Sequence, residues 1–510
     1  MDSYNVQGDP ACPRQVAAAW VTSLYLMKVF HHMTVMSSKS RSENGHVRPR
    51  VAVVGSGIGG LSAAYHLRTA AHTTLFESGD YFGGHTHTVD VSLPNAQGKT
   101  QTIGVDTGFL VLNERTYPEL LKLFAALDIP LAKSDMSFSV TVPGQGWLGK
   151  TALEWSGTSL SSLFCQPLNA LRPAFWRMLF DTMRFNKLAN RMVGQPLDTS
   201  QSLGDFLTVH HFSKPFIDWY LLPMLGSIWS CPTQQMLAFP IATLVQFCHN
   251  HGLIQVTNRP AWYTVAGGAR QYVEAIIQQL PDCRLNTPVT QVHRHGDGAG
   301  VDITFTDATT QASTTEHFDY VVMACHSNHS LQLLSSVNTQ EQEVLGSIAF
   351  QPNLAVLHTD VAQLPTARGA WSAWNYERSP VAANEHQHVC LHYLINQLQP
   401  LPFEQTVVVS LNPIRPIAGH HILGSYHYAH PVFDAKAVAA QQQLNGMQGE
   451  HNTYYCGAWT GYGFHEDGLK SGQLVAQLLQ SRLLQLVTEA HAHDDADATS
   501  DVTTEQTAHA

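Results

Sequence analysis

The chain has 510 residues, 44% of them hydrophobic, enough for two or three domain-sized cores or for one discontinuous two-domain body. Its formal net charge of -11 leaves no basic face for nucleic acid and argues against polyanions as partners. The eight cysteines (Cys12, Cys165, Cys231, Cys248, Cys283, Cys325, Cys390 and Cys456) include no Cys-x-x-Cys pair, so neither a zinc ribbon nor a dithiol redox motif is indicated. Reduced thiols in an intracellular, cytoplasmic protein are the natural reading.

Residues 1–48 precede the first expected folded element. Val16 to Met27 is an apolar run, but Lys28, His31 and His32 interrupt it before it reaches membrane-spanning length. Two readings stay open: an organellar transit segment, because acids are few and arginines present, or a gene model extended upstream of a start at Met33 or Met36.

Arg50 to Gly60, RVAVVGSGIGG, reads as strand, phosphate loop and helix. Val51 to Val54 are β-prone without polar alternation, as a strand buried on both faces should be. In the loop Gly55-Ser56-Gly57-Ile58-Gly59-Gly60, Gly55 opens the turn, Gly57 admits a pyrophosphate close to the backbone, and Gly60 allows tight helix–strand packing. Ile58, Leu61, Ala64 and Tyr65 share one side of the helix, whose first amides face the phosphates. A second strand, Thr73 to Phe76, ends at Glu77, about 20 residues beyond the glycines, where a carboxylate meets the adenosine ribose. Strand, loop, helix, strand and acid together specify dinucleotide binding.

Glu77 followed by Gly83-Gly84 resembles the flavin-containing amine oxidase superfamily, which also contains protoporphyrinogen oxidases and carotenoid desaturases. The resemblance implies FAD, with Gly83 and Gly84 along the dinucleotide. It also implies an α/β fold: a Rossmann-type, glutathione-reductase-like FAD-binding domain with an interleaved α+β substrate domain. His85 stands where many relatives carry arginine, which suggests a flavin or phosphate contact. His85-Thr86-His87 has no third ligand nearby in sequence, so no metal is expected. Val105-Asp106-Thr107-Gly108 and Asn113 to Pro118 resemble the crossing into the substrate domain. Thr107, Gly108 and Val292 count as further cofactor positions on the same resemblance.

From Glu119 to about Val265 the chain reads as helical. Its large apolar groups include Trp176, Met178, Phe180, Met183, Phe185, Trp219, Tyr220, Met224, Trp229 and Phe239, most of them expected to be core. Gly267-Gly268 before a helix resembles the return to the flavin domain. Val289 to Val292, a turn at Gly296 to Gly300, and Val301 to Phe305 suggest a meander, and Phe318 to Ala324 a further buried strand. Cys325 and His326 are adjacent on a strand end and point to opposite faces, so they make no nucleophilic pair. Ile348 to Leu423 alternates in short runs that suit a second sheet around a substrate cavity. The resulting boundaries are 49–113, 265–345 and 425–487 for the FAD-binding domain and 114–264 and 346–424 for the substrate domain. An acidic tail, 488–510, is expected to be disordered.

The closing motif runs from Tyr454 to Gly472 and includes GAWTGYGFHEDGLKSG. It resembles the superfamily's return to the flavin, and implies contacts from Gly457, Glu466, Asp467 and Gly468. The last helix then presents its positive end to the N1–C2=O edge of the ring, where reduced flavin is anionic. Many relatives carry a glutamate where Ala458 and Trp459 stand. The wording is closest to FAD-dependent oxidoreductases found beside, or fused to, cyclopropane fatty acid synthases.

His465 and Glu466 are the candidate catalytic groups, either of which can accept a proton near the ring. The first reading is hydride transfer from an apolar substrate, a small molecule or a fatty acyl or phospholipid chain, with peripheral contact to membrane lipid. A second is an amine oxidase with an aromatic cage drawn from Trp459, Tyr462, Tyr426 and Tyr428. A third is a non-catalytic binder of the Rab escort type. Because there is a single dinucleotide fingerprint, oxygen, a quinone or the substrate itself is favoured over NADPH as redox partner.

Overall fold

In the computed structural model the strand Arg50–Val54 is buried at four of its five residues and sits at the centre of a five-stranded sheet. Val51 pairs with Thr73 on one side and Tyr320 on the other, and the burial of four consecutive residues covers both faces, which leaves no place for polar alternation. From edge to edge the strands are Asp282–Arg284, His72–Phe76, Arg50–Val54, Tyr320–Met323 and Thr453–Tyr455, each parallel to its neighbours. Chain order reverses between Arg50–Val54 and Tyr320–Met323. In a parallel α/β sheet, ligands bind beyond the strand ends at such a reversal. The structure describes residues 48–505 except 196–199, 256–259, 297 and 381–387; the leader readings for residues 1–47 lie outside the described residues.

The helix Ile58–Leu67 packs against the last helix, His465–Glu505, almost backbone to backbone. A Cβ on Gly472 would lie 2.2 Å from Gly59 O, and one on Gly468 2.6 Å from Ile58 Cγ2. Ser62 Oγ closes the contact by donating to Leu469 O at 2.8 Å. The last helix continues through residue 505, which corrects the expectation of disorder from 488. After Gly472 it contains neither glycine nor proline, so nothing local stops it.

Three strands, Val289–Arg294, Val301–Thr306 and Ser313–Phe318, form the antiparallel meander. The sequence showed its first two strands but attached Phe318 to the next one. STTEHF is an edge strand too polar to reveal itself by apolar alternation.

The substrate side is a seven-stranded sheet in the order Ile422–Val432, Ala349–His358, Val408–Leu411, Cys390–Leu394, Trp374–Glu377, Phe138–Val142 and Leu153–Ser156. It corrects two boundaries. The region read as helical from Glu119 instead contains Leu131–Ser134, Phe138–Val142 and Leu153–Ser156 before helix Pro173–Met192 begins. FSVTV is rich in β-branched residues and pairs on both sides. Ile422–Val432 pairs with Ala349–His358 along its length, so residues 425–432 belong to the substrate sheet and the chain returns to the flavin side after Val432.

The helical layer is built on Phe185, Phe206, Phe216, Trp229 and Phe247, all buried. Of the apolar residues expected in the core, Met178, Phe185, Trp219, Met224, Trp229 and Phe239 are buried. Trp176, Phe180 and Met183 are instead 43%, 61% and 58% exposed. None of the described helices is long and apolar enough to cross a membrane.

Candidate active site

Four of the five parallel strands deliver the expected residues to one edge of the sheet. Val54 leads into Gly55, Phe76 into Glu77, Met323 into Ala324-Cys325-His326, and Tyr455 into Cys456-Gly457. Gly55 has φ 104°, and a Cβ there would sit 3.0 Å from Ala324 O; on Gly60 it would be 2.0 Å from Gly55 O. Gly57 differs: its Cβ position meets nothing within 4 Å, although Gly84 backs directly onto the same Cα. A wall of glycines around open space is what close backbone approach to a pyrophosphate requires.

Glu77 organises this loop. Its Oε2 accepts from Ser56 N at 3.1 Å and from Ser56 Oγ, its Oε1 accepts from Gly79 N at 2.8 Å, and Gly83 N donates to Ser56 Oγ at 3.0 Å. The glycine loop, the acid and the Gly83-Gly84 pair are thus one connected unit. The carboxylate keeps acceptor positions for ribose hydroxyls.

Gly83-Gly84 leads to His85-Thr86-His87, which runs beside Thr107-Gly108. Thr107 N donates to His87 O at 2.9 Å, Phe109 N donates to His85 O at 2.8 Å, and a Cβ on Gly108 would be 2.2 Å from His85 O. His87 Nδ1 lies 3.0 Å from Thr107 Oγ1 and 3.1 Å from Tyr428 OH, with its ring stacked on Tyr81. The rings of Tyr428 and His430 are each 5.1 Å from that of His85, and His326 is 6.5 Å away. His85 Nε2 is buried with no internal partner. That orphaned nitrogen, beside the glycine wall, fits a residue whose partner is a bound cofactor.

Burial, reinforced by neighbouring imidazoles, holds these histidines neutral. His85 and His326 are pushed down to about 3 and His430 to about 4. His465, at the start of the last helix, is also lowered to about 3 by burial and by His85. It stacks on Phe109 at 3.8 Å and bonds Thr86 Oγ1 through Nε2 at 2.9 Å. The imidazole is thus held neutral and is a weaker base than the ordinary histidine expected here, and its ring forms part of the wall of the site.

The other acids of the motif hold the fold. Glu466 accepts from Glu119 N and Leu120 N at 3.1 and 3.0 Å, and so caps helix Pro118–Ala126. Asp467 accepts from Tyr462 N and Phe464 N at 3.1 and 3.0 Å and folds the loop in front of the last helix. Burial pushes its carboxyl up to about 6 and raises that of Glu466. These backbone bonds give both acids a structural role beside the catalytic and cofactor roles expected of them. Val292 is fully buried in the meander, and its carbonyl accepts from Ser335 N at 3.0 Å.

Trp459 explains the Ala458-Trp459 departure. It packs under Gly457, where φ is 148°, and donates through Nε1 to Cys325 O at 3.2 Å. Trp459 is therefore buried, and Tyr462 packs on Phe247, while Tyr426 and Tyr428 face His87 and His85. Of the four residues proposed for an aromatic cage, Tyr426 and Tyr428 meet at His87, while Trp459 and Tyr462 pack elsewhere. Among the described residues, metal-ligand atoms gather in His295, Asp302 and His317 and in Glu377, Cys390 and His392; neither group includes His85 or His87.

Asp106 was legible only as part of a motif, yet it ties three segments together. It accepts from Thr88 Oγ1, from Ala269 N at 3.0 Å and from Gln399 Nε2 at 3.0 Å. Burial outweighs these bonds and pushes the carboxyl up to about 7. With its folded pKa above its unfolded value, Asp106 contributes stability at low pH that is lost as pH rises through about 4 to about 7. Asp106→Asn removes this slope and turns one amide hydrogen toward a donor. The variant should melt lower, with the gap to the wild type largest near pH 4, narrowing as pH rises to about 7 and constant above it; a gap independent of pH would refute the assignment.

The fold and its strand-end crevice define a dinucleotide-binding oxidoreductase of two interleaved parts. A family model described as flavin-containing amine oxidoreductase matches residues 58–480, so the chain belongs to that family, an FAD-dependent enzyme family. Its fold is similar to that of a conjugated-linoleic-acid-producing fatty acid isomerase from P. acnes, at 16% identity over 86% of this chain and 99% of that one, TM-score 0.56. It is also similar to cyclohexylamine oxidase from Brevibacterium oxydans, at 13% identity, 86% and 100% coverage and TM-score 0.59. A protein from Exiguobacterium described as a putative protoporphyrinogen oxidase aligns at 14% identity over 86% of this chain and 100% of that one, TM-score 0.58. Such identities establish a common fold. No curated protein matches the sequence significantly.

Proposed function

We propose that this FAD-dependent oxidoreductase takes hydride from an uncharged, apolar substrate, and that a fatty acyl chain is the favoured class. The carrying observation is the absence of charge where the site's histidines meet. His85, His326, His430 and His465 are all held neutral, and the Tyr428 phenol is raised by burial. An ammonium brought into such surroundings loses hydration without a facing carboxylate, which disfavours charged amines. Tyr428 also belongs to one buried apolar cluster with Leu110, Val111, Trp155 and Trp219, so the core beside the site is hydrocarbon in character. The closing motif's likeness to the flavoenzymes beside cyclopropane fatty acid synthases supports the same class.

FAD, when bound, supplies the hydride acceptor. The chain's own residues do the rest. Gly55 to Gly60, Glu77 and Gly83-Gly84 hold the dinucleotide, and the first turn of the last helix offers unpaired amides to negative charge. The Phe109–His465 stack and Tyr428 keep water away, and His85 Nε2 offers one neutral hydrogen-bonding position.

Anaerobic addition of an unsaturated fatty acid or phospholipid should bleach the visible flavin absorbance, whereas a simple amine should leave it unchanged. Bleaching by the amine and not by the lipid would replace this reading with the amine oxidase reading.

A further inference from the structure

Helix Pro173–Met192 has two apolar faces, and only one is covered. Phe175, Met178, Phe185 and Ala189 are buried. On the opposite side Trp176, Phe180 and Met183 follow one another at helical spacing, and Lys187 and Arg191 continue the same face as exposed cations. Neither cation makes an ion pair among the described residues. Beside the start of the helix, Trp147, Leu148 and Leu171, exposed at 44%, 77% and 70%, share a surface hollow with Arg172.

Scattered apolar side chains on a surface need no explanation, but a grouped set with three tryptophan or phenylalanine rings does. Charge selects what covers it. The chain as a whole is acidic, at -11, yet this helix carries Arg177, Arg184, Lys187 and Arg191 against Asp181 alone. Asp181 is buried and already paired with Arg177 and Arg184. An apolar stripe that begins with tryptophan and ends in lysine and arginine matches the acyl and phosphate layers of an anionic bilayer.

The inner face gives this surface a purpose. Phe175 and Met178 belong to the apolar cluster that reaches Leu110 and Tyr428, and Tyr428 stands against His85 in the site. One helix therefore carries the exposed apolar patch on one face and packs with the other on the apolar core that backs the site. We propose that the face formed by Trp176, Phe180, Met183, Lys187 and Arg191 docks on anionic phospholipid membranes, with the three apolar side chains among the acyl chains and the two cations on phosphate. The purpose rests on the acyl-chain reading of the site; the docking itself is measured without it.

The test uses the full FAD-loaded chain sedimented with vesicles of phosphatidylcholine alone or mixed with phosphatidylglycerol. Binding to the mixed vesicles should exceed binding to phosphatidylcholine and weaken with added salt. Trp176→Ser, Phe180→Ser and Met183→Ser combined should cut it by at least about tenfold, and Lys187→Glu with Arg191→Glu by several-fold. Trp176 also donates through Nε1 to Ala170 O at 2.8 Å, so the serine variant should melt slightly lower, but both variants should keep a cooperative melt and the wild-type flavin spectrum, which separates lost docking from lost fold. Failure of the wild type to bind the mixed vesicles overturns the proposal, as does binding that neither variant alters. A wild-type dimer that the serine variant dissociates, with no vesicle binding, assigns the face to a second copy instead. Vesicle binding without bleaching of the flavin by lipid would leave docking in place and remove the acyl-chain reading.

Discussion

Replacing Gly57 by valine should yield a chain that folds like the wild type and purifies without flavin colour. Gly57 has φ -61° and ψ 171°, an extended conformation open to any L-residue, and its Cβ position meets no atom within 4 Å. The substitution therefore strains nothing in the protein itself, beyond about 1 kcal/mol for a poorer helix cap. What it fills is the space beside Gly84 that a pyrophosphate needs, so FAD affinity should fall by roughly a hundredfold or more, about 3 kcal/mol. Gly60→Ala supplies the contrast. Its Cβ would be 2.0 Å from Gly55 O, so helix and strand must separate, and stability and FAD retention should be lost together. Thermal melts of the apoproteins with FAD titrations distinguish the two. Tight FAD binding by Gly57→Val would place the dinucleotide elsewhere.

Glu377→Ala should cost about 3 kcal/mol of stability, because it strips the buried His392 of its counter-charge and the part-exposed Arg415 of its partner. Glu377 Oε2 accepts from Arg415 Nη2 at 2.8 Å and lies 3.1 Å from His392 Nε2, while His392 Nδ1 sits 2.7 Å from Ser410 Oγ. These groups knit Trp374–Glu377, Cys390–Leu394 and Val408–Leu411 across the substrate sheet. Burial alone would lower the pKa of His392, but Cys390 and Glu377 raise it to about 9. The contribution of His392 is therefore complete below its ordinary 6.5 and is lost as pH rises through about 9. Glu377 is lowered despite burial, so its own contribution is present above 4.5 and fades as pH falls. The wild type should lose melting temperature from about pH 7 to about 9 more steeply than the variant; parallel profiles would show that the pair is not ionised in the folded chain.

The cofactor half of this protein was readable because it obeys local rules. An uninterrupted apolar strand, glycines at fixed offsets and an acid at the end of the next strand each state a backbone requirement, and the structure brings Gly55, Gly57, Glu77, Gly84 and Gly457 to one sheet edge. The closing motif was legible as a segment but not residue by residue. Glu466 and Asp467 looked like chemistry from their position, whereas Glu466 receives the amide of Leu120, a partner set by tertiary packing, and Asp467 that of Phe464, a local cap in the turn before the helix. The neutral state of His85 and His430 comes from burial where distant segments meet, as the His87–Tyr428 bond joins positions 341 apart, which no window of sequence contains. In the same way Trp176, Phe180 and Met183 have core-like spacing, and only the absence of a neighbouring element among the described residues leaves them outside.

The most direct test of the central claim is the flavin content of the purified full-length chain, read from its visible absorbance against protein concentration after incubation with FAD and removal of the excess. The account predicts one tightly held FAD per chain, released on unfolding. A chain that melts cooperatively yet neither retains nor takes up FAD would contradict it.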